Sequence, residues 1–230
     1  MTVTSSKNPH SDPVAGSQSD SAARVFGGRF RVTRSLKRSR GIETLLGVDE
    51  TSGRQVVIKT TTDADIPESV RLRLEHEAGI LSQIESDALI SIIDCGTDDS
   101  QLYLAMPYVS GSPLEQRLTS SPLSIEETIA VADSLLRALE AAHDHGVLHR
   151  DIKPANVIVN DGEVSHATLI DFGLARSSHL AASIRDQPVG TALYMSPEMS
   201  GLVDQPIDEP SDLYSIGTML FECLAGHPPF

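Results

Sequence analysis

His149-Arg150-Asp151-Ile152-Lys153-Pro154-Ala155-Asn156 is the stretch that decides how this 230-residue chain is read. A carboxylate, an ammonium and a carboxamide stand close together in it. Asp171-Phe172-Gly173 and Ser196-Pro197-Glu198 follow further along. Any one of these residues alone reads as a charge or turn in a surface loop. Their order and spacing together carry the information.

Working outward, the residues before this stretch are strand-like and those around and after it are helical. Short runs at Arg29 to Leu36, Glu43 to Asp49 and Gln55 to Thr60 are separated by turn residues at Ser39-Arg40-Gly41 and Thr51-Ser52-Gly53. Asp65-Ile66-Pro67-Glu68 has the composition of a helix start. The helix that follows places Val70, Leu74, Leu81 and Ile84 on one face. Glu77 lies within that apolar face, where a carboxylate needs a partner. Two further strands are expected near Leu89 to Cys95 and Leu102 to Met106. Beyond Ser110, Ser124-Ile125-Glu126-Glu127 is a capping box. It opens a helix whose expected buried stripe is Ile125, Ile129, Ala132, Leu136 and Leu139, with Gly146 as its stop. A last helix, about Ser211 to Leu224, is apolar nearly all round, the pattern of a helix central to a domain. The expected fold is α+β: a small β-rich lobe with one helix, then a larger, mostly helical lobe.

Composition sets the outer limits. Apolar residues make up 40% of the chain and the formal net charge is −14. That charge argues against a general nucleic-acid binder and offers an anionic membrane surface no anchor. No apolar run reaches the ~18 residues of a membrane span, and the N-terminus lacks the layout of a signal peptide. The cytoplasm is the expected compartment. Cys95 and Cys223 are far apart without metal-ligand spacing, and are expected to be reduced and buried. Residues 1–24 are rich in Ser, Thr, Asp, Pro and Gly, the composition of a disordered tail.

The constellation resembles the catalytic signature of the eukaryotic-type protein kinases, with a likeness to their bacterial members, from about Val25 to Phe230. The resemblance implies a two-lobed kinase fold: N-lobe and hinge over 25–109, C-lobe over 110–230. It implies ATP and Mg²⁺ as cofactors and a protein as acceptor. Phosphoryl transfer needs charge neutralised and reactants held in line more than it needs covalent chemistry. Asp151 takes the place of the group that orients and deprotonates the acceptor hydroxyl. Lys153 would stabilise the transferring phosphoryl, and a lysine here is a mark of the serine/threonine branch. Asn156 and Asp171 would hold the metal through a neutral and an anionic oxygen, a donor set that suits a hard cation. Lys59, ending Val56-Val57-Ile58-Lys59, would contact the ATP phosphates and pair with Glu77. Leu36, Thr44, Val57, Met106, Pro107, Val109 and Ile158 would complete the ATP site. Met106 is its gatekeeper, and Pro107 offers a carbonyl and Val109 an N–H to the base. Residues 171–198 would form the activation segment, with Gly190-Thr191 against the catalytic loop and Ser183 as the candidate phosphosite. Asp212 would brace the catalytic loop from behind.

The chain departs from the pattern in one place that bears on ATP. The three glycine positions of the phosphate loop hold Lys37, Ser39 and Ile42, and Gly41 is out of register with them. Glycines let backbone N–H groups close over phosphates. The altered loop keeps open a second reading, a pseudokinase that binds nucleotide or scaffolds partners. A small-molecule phosphotransferase is a third, against which the long segment ending at Glu198 speaks. The family also continues past the position of Phe230 with further helices. The C-lobe is therefore expected to lack its last helices, leaving Glu198 unpaired and part of an apolar helix exposed.

Overall fold

Between Gln55 and Thr61 every second side chain, Val56, Ile58 and Thr60, is buried. That period of two makes β4 (Gln55–Thr61) an interior strand of the first sheet. The computed structural model describes residues 24–39, 41–61, 68–160, 164–171 and 192–230. The expected tail, except Arg24, lies outside the described residues. So do the helix start at Asp65 to Pro67, Phe172, Gly173, Ser183 and Gly190-Thr191. The first sheet runs β1-β2-β3-β4-β6-β5, all neighbours antiparallel. Its other strands are β1 (Val25–Phe26), β2 (Phe30–Ser39), β3 (Ile42–Asp49), β5 (Asp94–Asp98) and β6 (Gln101–Pro107). One face carries Phe30, Leu45, Val56, Ile58 and Ala105 into a small core closed by Phe26 and Tyr103. The other face presents Val57, Leu104 and Met106 to the main core, which continues into the second lobe.

The turn between β3 and β4 is locked by a single carboxylate. Asp49 is buried and accepts from Arg29 Nε at 2.7 Å and Arg29 Nη2 at 2.8 Å. It also accepts from the Thr51 N–H at 3.0 Å and Ser52 Oγ at 2.7 Å. Those donors, the Arg29 guanidinium first, hold the Asp49 carboxyl well below the ordinary carboxylate range.

The second lobe is built on two helices. Ser124 caps α3 (Ile125–His143): its side chain accepts from the Glu127 N–H, and the Glu127 carboxylate accepts from the Ser124 N–H. Gly146 ends the turn after α3 at φ +70°, as its place in the sequence leads one to expect. Asp208 caps α4 (Glu209–Ala225), which packs on α3. A short helix, α2 (Leu114–Leu118), and a sheet of β7 (Ser112–Pro113), β8 (Val157–Val159) and β9 (Ala167–Leu169) complete the described part.

Two expectations are corrected. First, the stripe of α3 lies on another face. Val131, Leu135, Ala138, Leu139 and Ala142 are buried, whereas Ile125 and Ile129 are 66% and 62% exposed and Leu136 is exposed too. The helix is apolar on two faces, and the core takes the one with small residues. Ser134, Ala138 and Ala142 let α4 and β9 approach; Ser134 Oγ accepts from the Ala167 N–H at 3.2 Å. Second, Leu89 to Ile93 is not a strand. Its apolar run is a buried connector between lobes: the Ile90 N–H donates to the Leu169 carbonyl at 3.0 Å and the Leu169 N–H to that of Ala88 at 2.8 Å. The expected exposure of part of an apolar helix is found on α4, which is buried on one side and leaves Leu213, Phe221 and Leu224 exposed on the other. Of the two free thiols, Cys223 is buried and Cys95 only half-buried. No helix among the described residues is long and apolar enough to cross a membrane.

A carboxyl whose folded-state pKa is depressed adds stability above its unfolded value and loses it as pH falls toward the folded value. Asp49 therefore contributes fully above about pH 5 and progressively less below about pH 4. Urea unfolding of Asp49→Asn is expected to show a lower midpoint than the parent at pH 7. The gap should narrow as the pH is lowered through 4. Parallel curves for the two proteins across that range would contradict this.

Candidate active site

The loop from His149 to Asn156 is shaped by groups outside it. Asp212 lies in the first turn of α4, 1% exposed, and its carboxylate accepts two backbone N–H groups of the loop. The His149 N–H reaches Oδ2 and the Arg150 N–H reaches Oδ1, both at 2.8 Å. Asp212 thus braces the loop from behind, as the sequence suggests. Arg150 takes φ +62°, a left-handed conformation that costs a non-glycine residue about 1 kcal/mol or more. His143, at the end of α3, adds a contact from Nε2 to Asp212 Oδ2 at 3.0 Å.

His149 itself is fully buried and holds the loop from the other side. Its Nδ1 accepts the Asp151 N–H at 3.2 Å, so Nε2 carries the proton and donates to the Ile170 carbonyl at 3.0 Å. Burial keeps the ring's pKa below the usual histidine value, which favours that neutral form. Ile170 answers with its N–H to the Asn156 carbonyl at 2.9 Å. The loop and the residue before Asp171 are therefore bonded at both ends.

These constraints bring Asp151, Lys153 and Asn156 together. Lys153 Nζ donates to Asp151 Oδ2 at 2.8 Å. Asn156 Nδ2 donates to the same oxygen at 3.0 Å and to the Asp151 carbonyl at 2.7 Å. Asn156 is buried with its amide fixed by these bonds. Its donor side is spent on Asp151, so its Oδ1 is the atom left for a cation. Asp171, at φ +67°, follows the residue tied to Asn156 and brings a carboxylate to the same place. An amide oxygen and a carboxylate oxygen fit Mg²⁺, which takes few protein ligands and fills its shell with water and phosphate oxygens.

Lys59 comes from the other lobe. Its ammonium ion-pairs with the Asp171 carboxylate. Glu77, the partner expected for Lys59, is half-buried on α1 (Glu68–Leu81). The left-handed backbone at Asp171 turns its carboxylate toward the sheet, and that is the carboxylate Lys59 meets. Of the stripe on α1, Leu81 is buried, as is Ile84 beyond the helix.

Around this centre the structure assembles two layers. Val57 lies opposite Met106 in the sheet, and Thr44 opposite Lys59. The Tyr108 N–H bonds to the Gln55 carbonyl at 3.2 Å, so the alternation of antiparallel pairs makes Val56 and Pro107 a non-hydrogen-bonded pair. Pro107 therefore forfeits no ladder bond to β4, and its carbonyl points away from that strand. The last β5 partner on its other side is Asp94, opposite Ala105. Below, Ile158 of β8 is half-buried opposite Pro113, next to the end of the hinge. Leu36 is exposed on β2, and Val109 packs against the main core.

Three contributors carried little sequence signal. Gly111 approaches β8 so closely that a Cβ would lie 2.3 Å from the Val159 carbonyl oxygen; only its place among turn residues hints at this. His143 had no motif to mark it. Ser211 donates to Glu198, so that carboxylate is not unpaired as expected. The cap of α4 supplies its partner, and that bond holds the Glu198 carboxyl below its ordinary value.

Comparison with known proteins agrees with this geometry. Residues 42–230 match the family model described as the protein kinase domain. Serine/threonine-protein kinase pkn2 of Myxococcus xanthus is 36% identical over 212 residues, covering 90% of this chain and 25% of that protein. Serine/threonine-protein kinase PknL of Mycobacterium tuberculosis is 33% identical over 223 residues, covering 94% and 54%. The crystal structure of the M. tuberculosis PknI kinase domain superposes with a TM-score of 0.71 at 28% identity, covering 90% of this chain and 76% of that one. The chain thus spans between a quarter and about half of these curated relatives.

Asp212→Asn tests the brace. An amide keeps one acceptor oxygen, so one of the two loop N–H groups would face an NH₂ donor. Leaving a buried donor unsatisfied costs about 1–3 kcal/mol, and urea unfolding should show a loss of that size. A loss below about 0.5 kcal/mol, the range of neutral surface changes, would contradict the role given to Asp212.

Proposed function

We propose that this chain, which belongs to the protein kinase family and resembles its bacterial serine/threonine members, transfers the terminal phosphoryl group of ATP to serine or threonine hydroxyls of proteins. The observation that carries the reading is the Asp151 carboxylate, fixed by Lys153 and Asn156 at 2.8 and 3.0 Å on a loop braced by Asp212. A carboxylate so placed can orient an acceptor hydroxyl and take its proton. The acceptor oxygen then forms its bond to the γ-phosphorus as the bond to the β–γ bridging oxygen breaks, and ADP leaves. Lys153, already against Asp151, would carry positive charge to the transferring group. Lys59 would meet the phosphates from above. The base would lie between Val57 and Ile158, against Met106, and bond to the Pro107 carbonyl and the Val109 N–H; Leu36 and Thr44 would roof it.

Asn156 and Asp171 are the residues that would hold Mg²⁺. When bound, the metal neutralises charge on the phosphate oxygens. ATP as co-substrate, together with two free thiols, favours the cytoplasm as its place of action.

A second reading has a specific observation behind it. The phosphate-loop positions hold Lys37, Ser39 and Ile42, so a kinase-shaped module that binds nucleotide without transfer is the competing outcome. Phosphate incorporation from ATP into the full-length protein or a generic acceptor separates the two. Asp151→Asn and Lys59→Met should each lower the rate about a hundredfold or more. Equal incorporation by all three proteins would sink the kinase reading; nucleotide binding with no transfer would favour the module.

A further inference from the structure

We propose that Lys37 is a phosphate-binding residue, its ammonium taking the place of loop backbone N–H groups in holding the polyphosphate of the nucleotide. The proposal rests on the kinase reading above and deepens it at the one position where the chain departs most from the family.

The register of β2 carries the argument. Ser35 lies opposite Leu45 and Lys37 opposite Thr44, so Leu36 is an extra residue with no register partner of its own across the strand pair. That is a β-bulge, the device by which a strand re-aims a side chain. Ser35 shares the face of Leu45, which points into the small core away from the cleft. Strict alternation would put Leu36 on the cleft face and return Lys37 to the far one. The extra residue keeps Lys37 on the cleft face instead.

On that face Lys37 falls in a row with functional neighbours. Thr44 is opposite Lys37 on one side and opposite Lys59 on the other. Residues in such a row project to the same side. Strands are ~4.8 Å apart, so the two lysine backbones are separated by about 10 Å. Two four-carbon stems bring both ammonium groups within reach of one polyphosphate. The next row, about 7 Å away, is Arg34, Leu46, Val57 and Met106, the row of the hinge and the base. Lys37 therefore shares the row of Lys59, with Thr44 between them, one row beyond Val57 and Met106.

Its charge is also available. Arg24, Arg29 and Arg31 are tied to Glu43, Asp49 and Glu50. Lys37 is exposed, and no carboxylate among the described residues lies within ion-pair distance of it. Lys59, by contrast, already faces Asp171. A nucleotide triphosphate brings several negative charges, and a second cation in the Lys59 row offsets part of them.

Arg38 provides an internal control. It lies opposite Glu43, on the face away from the cleft, and removing it changes the charge by the same amount. Titration calorimetry of the full-length protein with ATP plus Mg²⁺, and separately with adenosine, tests the assignment. Lys37→Gln should weaken ATP binding about tenfold, the size of one charge-assisted contact, and leave adenosine within about twofold of the parent. Arg38→Gln should match the parent for both ligands. Unchanged ATP affinity in Lys37→Gln, with the parent binding ATP and transferring phosphate, overturns the proposal and leaves the kinase reading intact. An equal loss for ATP and adenosine, or an equal loss in Arg38→Gln, also overturns it, since the effect would then be loop shape or general field. A folded parent that binds no ATP removes both readings together.

Discussion

One carboxylate and two backbone N–H groups set the geometry on which the catalytic centre depends. Asp212 holds the N–H groups of His149 and Arg150 at 2.8 Å each, and Arg150 sits in a left-handed conformation between the histidine and Asp151. Such a conformation persists only where its surroundings over-determine it. The surroundings here are costly in their own right, because Asp212 is a buried carboxylate. Its charge is offset by those two N–H bonds, by His143, and by its position in the first turn of α4, where the helix dipole favours an anion. The strain at Arg150 and the burial of Asp212 are two sides of one arrangement.

The consequence reaches across the cleft. With Asp212 holding the start of the loop, His149 can bond Asp151 on one nitrogen and the Ile170 carbonyl on the other. This sets the distance between the Asp151 loop and Asp171. Asn156 repeats the link through its carbonyl. Asp171 in turn meets Lys59 from the sheet lobe. A chain of contacts thus runs from α4, through the loop, to β4. The buried connector from Ala88 to Ile90, bonded to Leu169, runs beside it and ties the lobes at a second place. The site is assembled from segments far apart in sequence, each bonded to the next.

How much of this the sequence discloses depends on whether a feature is local. The strands around β4, the capping box of α3 and the Gly146 stop are written in short-range patterns and appear where expected. The catalytic set is legible because its spacing is characteristic, not because any residue signals its role. Side-chain partnering between distant segments is not local and goes unread: Ser211 of α4 supplies the partner of Glu198. The face of α3 fails for a different reason. Both of its faces hold apolar residues, and periodicity cannot say which will be covered. The choice falls to Ser134, Ala138 and Ala142, whose small size allows close packing. The run at Leu89 to Ile93 shows the same limit, since an apolar stretch buried in a connector looks like a buried strand.

Charge, read as a total, argues only against a general nucleic-acid binder and an anionic membrane surface. Its distribution along the chain is uneven. The segment from Arg24 to Lys59 holds nine of the 18 lysines and arginines but only three of the 32 acidic residues. The rest of the chain is correspondingly more acidic than the net charge of −14 implies. The segment of the first strands is therefore net basic, and Asp151 and Asp171 belong to the acidic remainder. A polyphosphate held between them would meet cations from one side and, from the other, carboxylates suited to a divalent cation. Opposite charge on the two walls orients such a ligand, because turning it over would place phosphates against carboxylates. A phosphate loop lined with glycines offers only its N–H groups and needs no such partition. In this chain the loop positions are filled by the larger side chains of Lys37, Ser39 and Ile42, and the partition of charge along the sequence is a second departure beside it.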